Sequence, residues 1–340
     1  MAAALDDPLD LALLNDWQRG FPLQSEPFAA IGAALGVDAA AVIERYRALQ
    51  ARGALSRIGG AFGAGAGGAA LLCALAVPPA RLEAVAAIVS AHPGVNHNYE
   101  REHERNLWFV ITGGDAAAVA EAVDALEAAC GLRALRLPMQ RAYRIDLGFD
   151  LRRALAARGP RVRPVAAPVL PQDRALAACV EHGLPLVVRP FAAWGDDCAR
   201  SEADVLATLQ RWLAQGTLRR FGAIVRHHES GFTHNAMTVF EVPDAQADAC
   251  GARLAVQPGV TLAYRRGRDG SWPYNLYCMV HGRDRDAVAA AVDAAVARAG
   301  LDGFPRAMLF SRRRFKQCGA RYFGSAPPAR QRVGDARVTA

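Results

Sequence analysis

The feature that most constrains this chain is that it is written twice. "RGFPLQSEPFAAIGAAL" at 19–35 returns as "HGLPLVVRPFAAWGDDC" at 182–198. "ALQARGALSRIGGAF" at 48–62 returns as "RWLAQGTLRRFGAIV" at 211–225, at the same offset of 163 residues. Further along, "HPGVNHNY" (92–99) matches "QPGVTLAY" (257–264), and "NLWFVITGGD" (106–115) matches "NLYCMVHGRD" (275–284). A chain built this way folds as two like units, roughly 1–150 and 170–318. Between them, "RGPRVRPVAAPVLPQ" (158–172) is proline-rich without apolar periodicity and reads as a linker.

Each half follows one plan. "DPLDLALLNDW" has helical apolar spacing, with Asp7 as N-cap and Pro8 in the first turn. "EPFAAIGAALG" is a short helix stopped by Gly36, and "DAAAVIERYRALQARG" runs from an Asp38 cap to Gly53. With a terminal hairpin at "ALSRIGGAF", this reads as a winged helix-turn-helix. The remainder, "AALLCALAVP", "ARLEAVAAIVSAHPG", "VNHNYEREH", "NLWFVITGG", "DAAAVAEAVDALEAACG" and "LRALRLPMQRAYRI", gives β-α-β-β-α-β. That is the ferredoxin-like order, an antiparallel sheet with two helices on one face. The expected class is α+β, a tandem duplication. Its domains are a helix-turn-helix at 1–60, a ferredoxin-like unit at 61–150, a linker at 151–172, the same pair at 173–223 and 224–323, and a flexible tail at 324–340.

Composition narrows the function. No apolar run reaches the eighteen or so residues of a membrane span, and "MAAALDDPLDLALLND" lacks a secretory signal's basic region and apolar core. The seven scattered cysteines contain no C-x-x-C, which favours a reducing cytoplasm over a zinc ribbon or disulfide framework. The net charge is +7, and Lys316 is the only lysine. An arginine-only cationic set suits planar recognition of carboxylate or phosphate, and a basic chain also permits nucleic-acid binding.

A helix-turn-helix joined to a ferredoxin-like unit resembles the Lrp/AsnC family of bacterial regulators over nearly all of each half. The third helix tests that reading. A recognition helix presents Arg, Lys, Asn, Gln, Ser or Thr to DNA. Here one copy opens with an acid and three alanines, and the other, "SEADVLATLQRWLAQG", carries Glu202 and Asp204 in its leading turn. Carboxylates there repel phosphates, so DNA binding is not expected and the helix reads as scaffold.

The two copies control for one another. Opposite "RHHESGFT" (226–233) stands "GAGAGGAA" (63–70), and opposite "NHNYEREH" (96–103) stands "TLAYRRGR" (261–268). Histidines are thus divided unequally, His97 and His103 in one half, His227, His228 and His234 in the other. A symmetric regulator needs no such division, whereas one composite active site would produce it. "PGVNHNYEREHERNLWFVITG", "RRFGAIVRHHESGF", "WPYNLYCMVHGRD" and "SRRRFKQCGARYF" resemble the siroheme decarboxylase family, in the fused two-subunit form of heme d1 biosynthesis for denitrification. The resemblance covers residues 5–323. It implies an Lrp-like fold and loss of carbon dioxide from two acetate side chains of siroheme, giving 12,18-didecarboxysiroheme. It also implies no organic cofactor, tetrapyrroles as ligands, and other heme d1 proteins as partners. The rival expectation is an Lrp/AsnC-like DNA-binding regulator, or a heme-sensing protein without turnover.

The residues suit a polycarboxylate ring. Arginine forks for it are available at Arg57, Arg101, Arg219, Arg220, Arg226 and Arg266, and ring-facing groups at Tyr99, Tyr264 and Trp272. Arg220 matches Arg57 across the repeat, so it either binds carboxylate or fixes the hinge. The candidate catalytic imidazoles are His227, His228, His97 and His103, since histidine is suited to delivering a proton near pH 7. Adjacent His227 and His228 point to opposite faces of an extended segment, so one is expected to reach the ligand. His97, Tyr99, Arg101 and His103 form one stripe if their strand persists. His92, His182, His234 and His281 read as local polar groups. The basic "SRRRFKQ" (311–317) is either a solvated strand edge or a lid on an anion. No ligand spacing supports a protein metal site; any iron belongs to the substrate, where a histidine could ligate it. An intramolecular pseudo-dimer, open to further oligomerisation, is expected.

Overall fold

The computed structural model describes residues 7–63, 65–145, 151–152, 166–225 and 233–324. The first three helices are α1 (Pro8–Asn15), α2 (Pro27–Leu35) and α3 (Ala39–Ala51). Their ends follow the sequence signals. Asp7 accepts from the Leu9 and Asp10 amides, Asp38 accepts from the Ala41 amide, and Gly36 stops α2 in the left-handed conformation. The sister helices are α6 (Arg174–His182), α7 (Pro190–Cys198) and α8 (Glu202–Ala214), the last capped by Ser201.

The two helix-turn-helix units do not stand apart. Leu13, Phe28, Ile31, Tyr46 and Leu49 of one share a single core with Leu176, Phe191, Trp194, Leu209 and Trp212 of the other. Each such side chain contributes about 1.5–3 kcal/mol by leaving water, so this core ties the halves together firmly. The expected wing hairpin is corrected. Strand β1 (Leu55–Phe62) pairs antiparallel with β6 (Leu218–Val225) of the sister half, Gly59 facing Gly222. The wing is a ribbon spanning both copies.

The ferredoxin-like order is observed in each half. The first has β2 (Ala69–Leu75), α4 (Leu82–Ala91), β3 (Val95–Arg101), β4 (Leu107–Gly113), α5 (Ala116–Cys130) and β5 (Leu135–Ile145). The second has β7 (His234–Phe240), α9 (Asp244–Ala255), β8 (Val260–Arg266), β9 (Leu276–Gly282), α10 (Arg285–Ala299) and β10 (Arg306–Gln317). The sheets are not separate. β5 pairs first with β2 of its own half and then with β8 of the other; β10 pairs with β7 and then with β3. This exchange closes an eight-stranded antiparallel barrel, in the order β10-β3-β4-β2-β5-β8-β9-β7. Each half packs its helices against the outer face, and Trp108, Leu137, Met237, Trp272, Tyr277 and Leu309 fill part of the interior. No single helix is long and apolar enough to cross a membrane.

Candidate functional site

Two registers repeat around the barrel and define two pseudo-equivalent pockets. In one, β10 places Ser311, Arg314 and Gln317 opposite Arg101, Tyr99 and His97. In the other, β5 places Met139, Ala142 and Ile145 opposite Arg266, Tyr264 and Leu262. Strands β7 and β2 enter beside these pockets in the same register, His234 against Gly282 and Ala69 against Gly113, so Asn235 corresponds to Ala70. Only the tyrosine and arginine are shared. The variable positions read His97, Asn235, Ser311, Arg314 and Gln317 in one pocket and Leu262, Ala70, Met139, Ala142 and Ile145 in the other. The polar set draws β3 from the first half and β7 and β10 from the second. Neither half contains the site alone.

The shared pair is architectural as well as chemical. Arg101 stacks its guanidinium 5.8 Å from the Tyr99 ring and donates to the Leu309 carbonyl at 3.0 Å. Arg266 lies 5.2 Å from the Tyr264 ring and donates to the Leu137 carbonyl at 2.9 Å. Each arginine thus clamps a long strand. Arg101 also reaches Asn235 Oδ1, which accepts from Ser311 as well, whereas Arg266 lies between the Tyr264 and Tyr277 rings. Burial pulls the Arg101 pKa down to about 10 and lowers that of Arg266, and it raises those of both tyrosines.

A bulge between Val95 and His97 turns Asn96 inward beside His97. Asn96 Nδ2 donates to Thr112 Oγ1, which leaves its Oδ1 to accept from His97 Nδ1 at 2.6 Å. That partner fixes the neutral tautomer, with the Nε2 lone pair left for the pocket. Burial, and then the nearby Arg101 charge, pull the His97 pKa down to about 4. His97 is therefore a neutral imidazole at pH 7.

After Gln317 the chain crosses from the barrel to the helical body. The Cys318 amide donates to the Asn96 carbonyl, and Arg321 N to Thr112 Oγ1. Glu181 of α6 then accepts from the Tyr322 amide at 2.9 Å and the Phe323 amide at 3.2 Å. Burial pushes the Glu181 carboxyl up to about 7, against the pull of those amides and of Arg57 and Arg321. In the first half, Asn15 at the end of α1 accepts from the Leu151 amide, which follows β5 as Phe323 follows β10. Arg57 reaches from β1 to this crossing, where its guanidinium packs against Gly319.

The remaining candidates sort as follows. Arg57, Arg101, Arg219 and Arg266 each keep a buried Nε without a hydrogen-bond partner. Among the described residues, none of the four has a carboxylate in ion-pair contact. Arg220 is buried and donates to the Gln18 and Ala223 carbonyls, contacts that favour the hinge. The expected stripe ends early. β3 stops at Arg101, and His103 sits in the following turn, its Nδ1 accepting from the Arg105 amide and its ring edge against Trp272. Trp272 is 2% exposed and donates to Tyr277 Oη, so it plugs the barrel core instead of lining an open wall. Arg226, His227 and His228 lie outside the described residues. His281 bonds Thr261, a local polar pair as expected. Among the described residues, no group of three or more His, Cys, Asp or Glu side chains could hold a metal.

Sequence reasoning missed Arg314, Gln317, Asn235, Ser311 and Glu181. The signal was the run "SRRRFKQ", but bulges at Ser311/Arg313 and Arg314/Lys316 break the alternation that would have sorted it. A cavity of about 470 Å³ outside the barrel is also arginine-lined, but Asp124 and Glu127 pair with its Arg133 and Arg136, which makes it a poor anion site.

Comparison with known proteins bears on this geometry. The AsnC-like ligand binding domain family matches residues 66–144 and 229–316, and the siroheme decarboxylase NirDL-like HTH domain family matches residues 10–55 and 173–219. The siroheme decarboxylase NirDL subunit of Paracoccus denitrificans is 45% identical over 319 residues, covering 92% of this chain and 97% of that protein. The chain belongs to the NirDL siroheme decarboxylase family. A crystal structure of siroheme decarboxylase NirDL superposes with a TM-score of 0.66 at 27% identity, covering 94% of this chain and 95% of the other. A second NirDL crystal structure, a co-complex with an iron-uroporphyrin III analogue, superposes with a TM-score of 0.64, also at 27% identity, covering 90% of this chain and 92% of that one. The NirDL family thus carries the Lrp/AsnC-like duplication described above, with its two halves joined in one chain.

Proposed function

We propose that this chain decarboxylates siroheme to 12,18-didecarboxysiroheme in heme d1 biosynthesis, working at the polar pocket of β3, β7 and β10. The observation that carries the reading is Arg101, a buried guanidinium of this pocket whose Nε has no hydrogen-bond partner and which, among the described residues, has no carboxylate in ion-pair contact; Arg266 on β8 and Arg57 and Arg219 on the β1–β6 ribbon share that state. An enclosed cation left without a counter-ion is costly, and a polycarboxylate ligand supplies the missing anions. Membership of the NirDL family and the likeness to a relative crystallised with an iron-uroporphyrin III analogue support the same ligand class.

The chemistry is balanced without an oxidant. The bond between an acetate methylene and its carboxylate breaks, carbon dioxide leaves, and the electron pair spreads into the macrocycle. One proton then converts the methylene to methyl. His97, neutral and with Nε2 open, offers a lone pair to the substrate iron or ring and is poorly suited to donate the proton. The donor is one of His227 and His228, recharged from solvent. Cationic surroundings hold the carboxylates through charge-assisted bonds, and the aromatic and aliphatic barrel wall excludes water from the reacting carbon.

A helix-turn-helix also invites a DNA-binding reading. The cations of α3 and its C-cap are already engaged, Arg45 and the C-cap Arg52 with Asp7 and Asp10, and Arg47 with Glu44 and the Leu186 carbonyl. Glu202 at the start of α8 is held by Arg189 and Ser25. Anaerobic incubation with siroheme decides between the readings. Products lighter by one and then two carbon dioxide units are expected. Ligand returned unchanged, with specific retardation of duplex DNA, would reject the enzyme. At least one of His227→Ala and His228→Ala is expected to lose turnover while retaining tetrapyrrole.

A further inference from the structure

The run from Arg312 to Lys316 brings four cations along β10, and three of them point away from the barrel interior. Arg313 bonds Glu100 at 2.6 Å and also pairs with Glu83 of α4. Arg312 lies 3.7 Å from Glu100 and 4.0 Å from Glu102. Lys316 donates to the carbonyls of Ser90 and His92. Arg314 alone takes the inward register. It is the Cα partner of Tyr99, acts on the Tyr99 hydroxyl through its charge, and donates Nη1 to Gln317 Oε1 at 3.1 Å. Gln317 is in turn the partner of His97. The sister pocket has Ala142 and Ile145 at these two places. An arginine oriented by a glutamine, one residue pair from a neutral imidazole, occurs in one pocket and is replaced by hydrocarbon in the other.

We propose that Arg314 determines substrate specificity by engaging the acetate side chain presented to His97, with Gln317 fixing the plane of its guanidinium. This rests on the tetrapyrrole reading above and sharpens it from a polycarboxylate ring to one whose acetates are read individually. A planar fork pairs two carboxylate oxygens at once, and a methyl group in place of the acetate leaves both donors unanswered. The pocket therefore discriminates between tetrapyrroles that differ only in acetate against methyl.

Two iron porphyrins isolate that difference. Iron uroporphyrin III carries an acetate and a propionate on every ring, and iron coproporphyrin III carries methyl groups in place of the acetates. Dissociation constants for both are measured by Soret titration with the full chain, wild type and Arg314→Gln, folding being checked by circular dichroism. Glutamine keeps length and a hydrogen-bond donor but removes the charge and the fork. In the wild type, uroporphyrin is expected to bind at least ~10-fold more tightly, and in R314Q that ratio is expected to shrink by ~5- to 50-fold, the range for losing a charged hydrogen-bond pair. Arg314→Lys, with charge but no fork, is expected to fall between. An unchanged ratio, even with both affinities reduced, overturns the assignment, because a structural role weakens both ligands alike. The proposed reaction fails separately. A wild type that prefers uroporphyrin but releases no carbon dioxide from siroheme refutes turnover and leaves the acetate reading intact.

Discussion

At the scale of single residues, His97 shows how a barrel sets an imidazole's task. Its position in the repeat is held by Leu262, so the scaffold itself tolerates leucine there. His97→Leu is expected to keep the fold and bind tetrapyrrole, to lower kcat by ~10- to 100-fold, and to alter the Soret spectrum of the bound iron. Stopped turnover with an unchanged spectrum would place His97 away from the iron. The titration has a sign. The native pKa of about 4 lies below that of the unfolded chain, near 6.5, so the unfolded state takes up the proton first as acid is added. The stability associated with neutral His97 is present above pH ~6.5 and lost as pH falls through about 4. His97→Leu should flatten the denaturation midpoint between those limits, by an amount on the order of 1–3 kcal/mol. A slope that survives the substitution assigns the acid lability to other groups.

Among elements, the crossing from β10 to the helical body links the site to the scaffold, and it is held by one carboxylate. Glu181, pushed up to about 7 by burial, has a native pKa above its unfolded value. Its contribution is complete below pH ~4.5 and lost as pH rises through 7. Glu181→Gln keeps an acceptor for the Tyr322 and Phe323 amides, as Asn15 does for Leu151. The variant should therefore remove the decline in melting temperature between pH ~4.5 and 7, and an equal decline in both proteins would clear Glu181 of it. Gly68 supports the same crossing. Its φ is +67°, and a Cβ there would lie 2.7 Å from the Tyr322 Cβ and the Gly113 carbonyl. Gly68→Ala should cost about 1–3 kcal/mol, seen as a lower midpoint. These elements were only partly legible in the sequence. The helices and their caps at Asp7 and Asp38 were readable because capping is local. The β1–β6 ribbon and the exchanged ends of β5 and β10 were not, because local patterning cannot tell pairing within a half from pairing across halves. Arg314 was hidden for a related reason, since two bulges break the inside–outside alternation along its strand.

For the whole molecule, duplication followed by divergence explains why both copies are retained. The polar pocket takes His97 from β3 of the first half and Asn235, Ser311, Arg314 and Gln317 from β7 and β10 of the second. A barrel closed by two first halves would carry His97 opposite the equivalent of Ile145, with Ala142 in the arginine's place, and one closed by two second halves would carry Arg314 opposite Tyr264 and Gln317 opposite Leu262. Neither joins the imidazole to the arginine. Cutting the chain between Arg152 and Ala166 tests this directly. Each fragment exposes the outer end of a long strand and half of the shared helical core, so each alone is expected to aggregate or to self-pair without turnover. Co-expressed, the fragments should assemble through that core and recover siroheme decarboxylation, whereas the pair carrying Arg314→Ala should assemble equally well and lose most of it. Turnover by either fragment alone would mean that the pocket is complete within one half, and the division of polar residues between the copies would then need another cause.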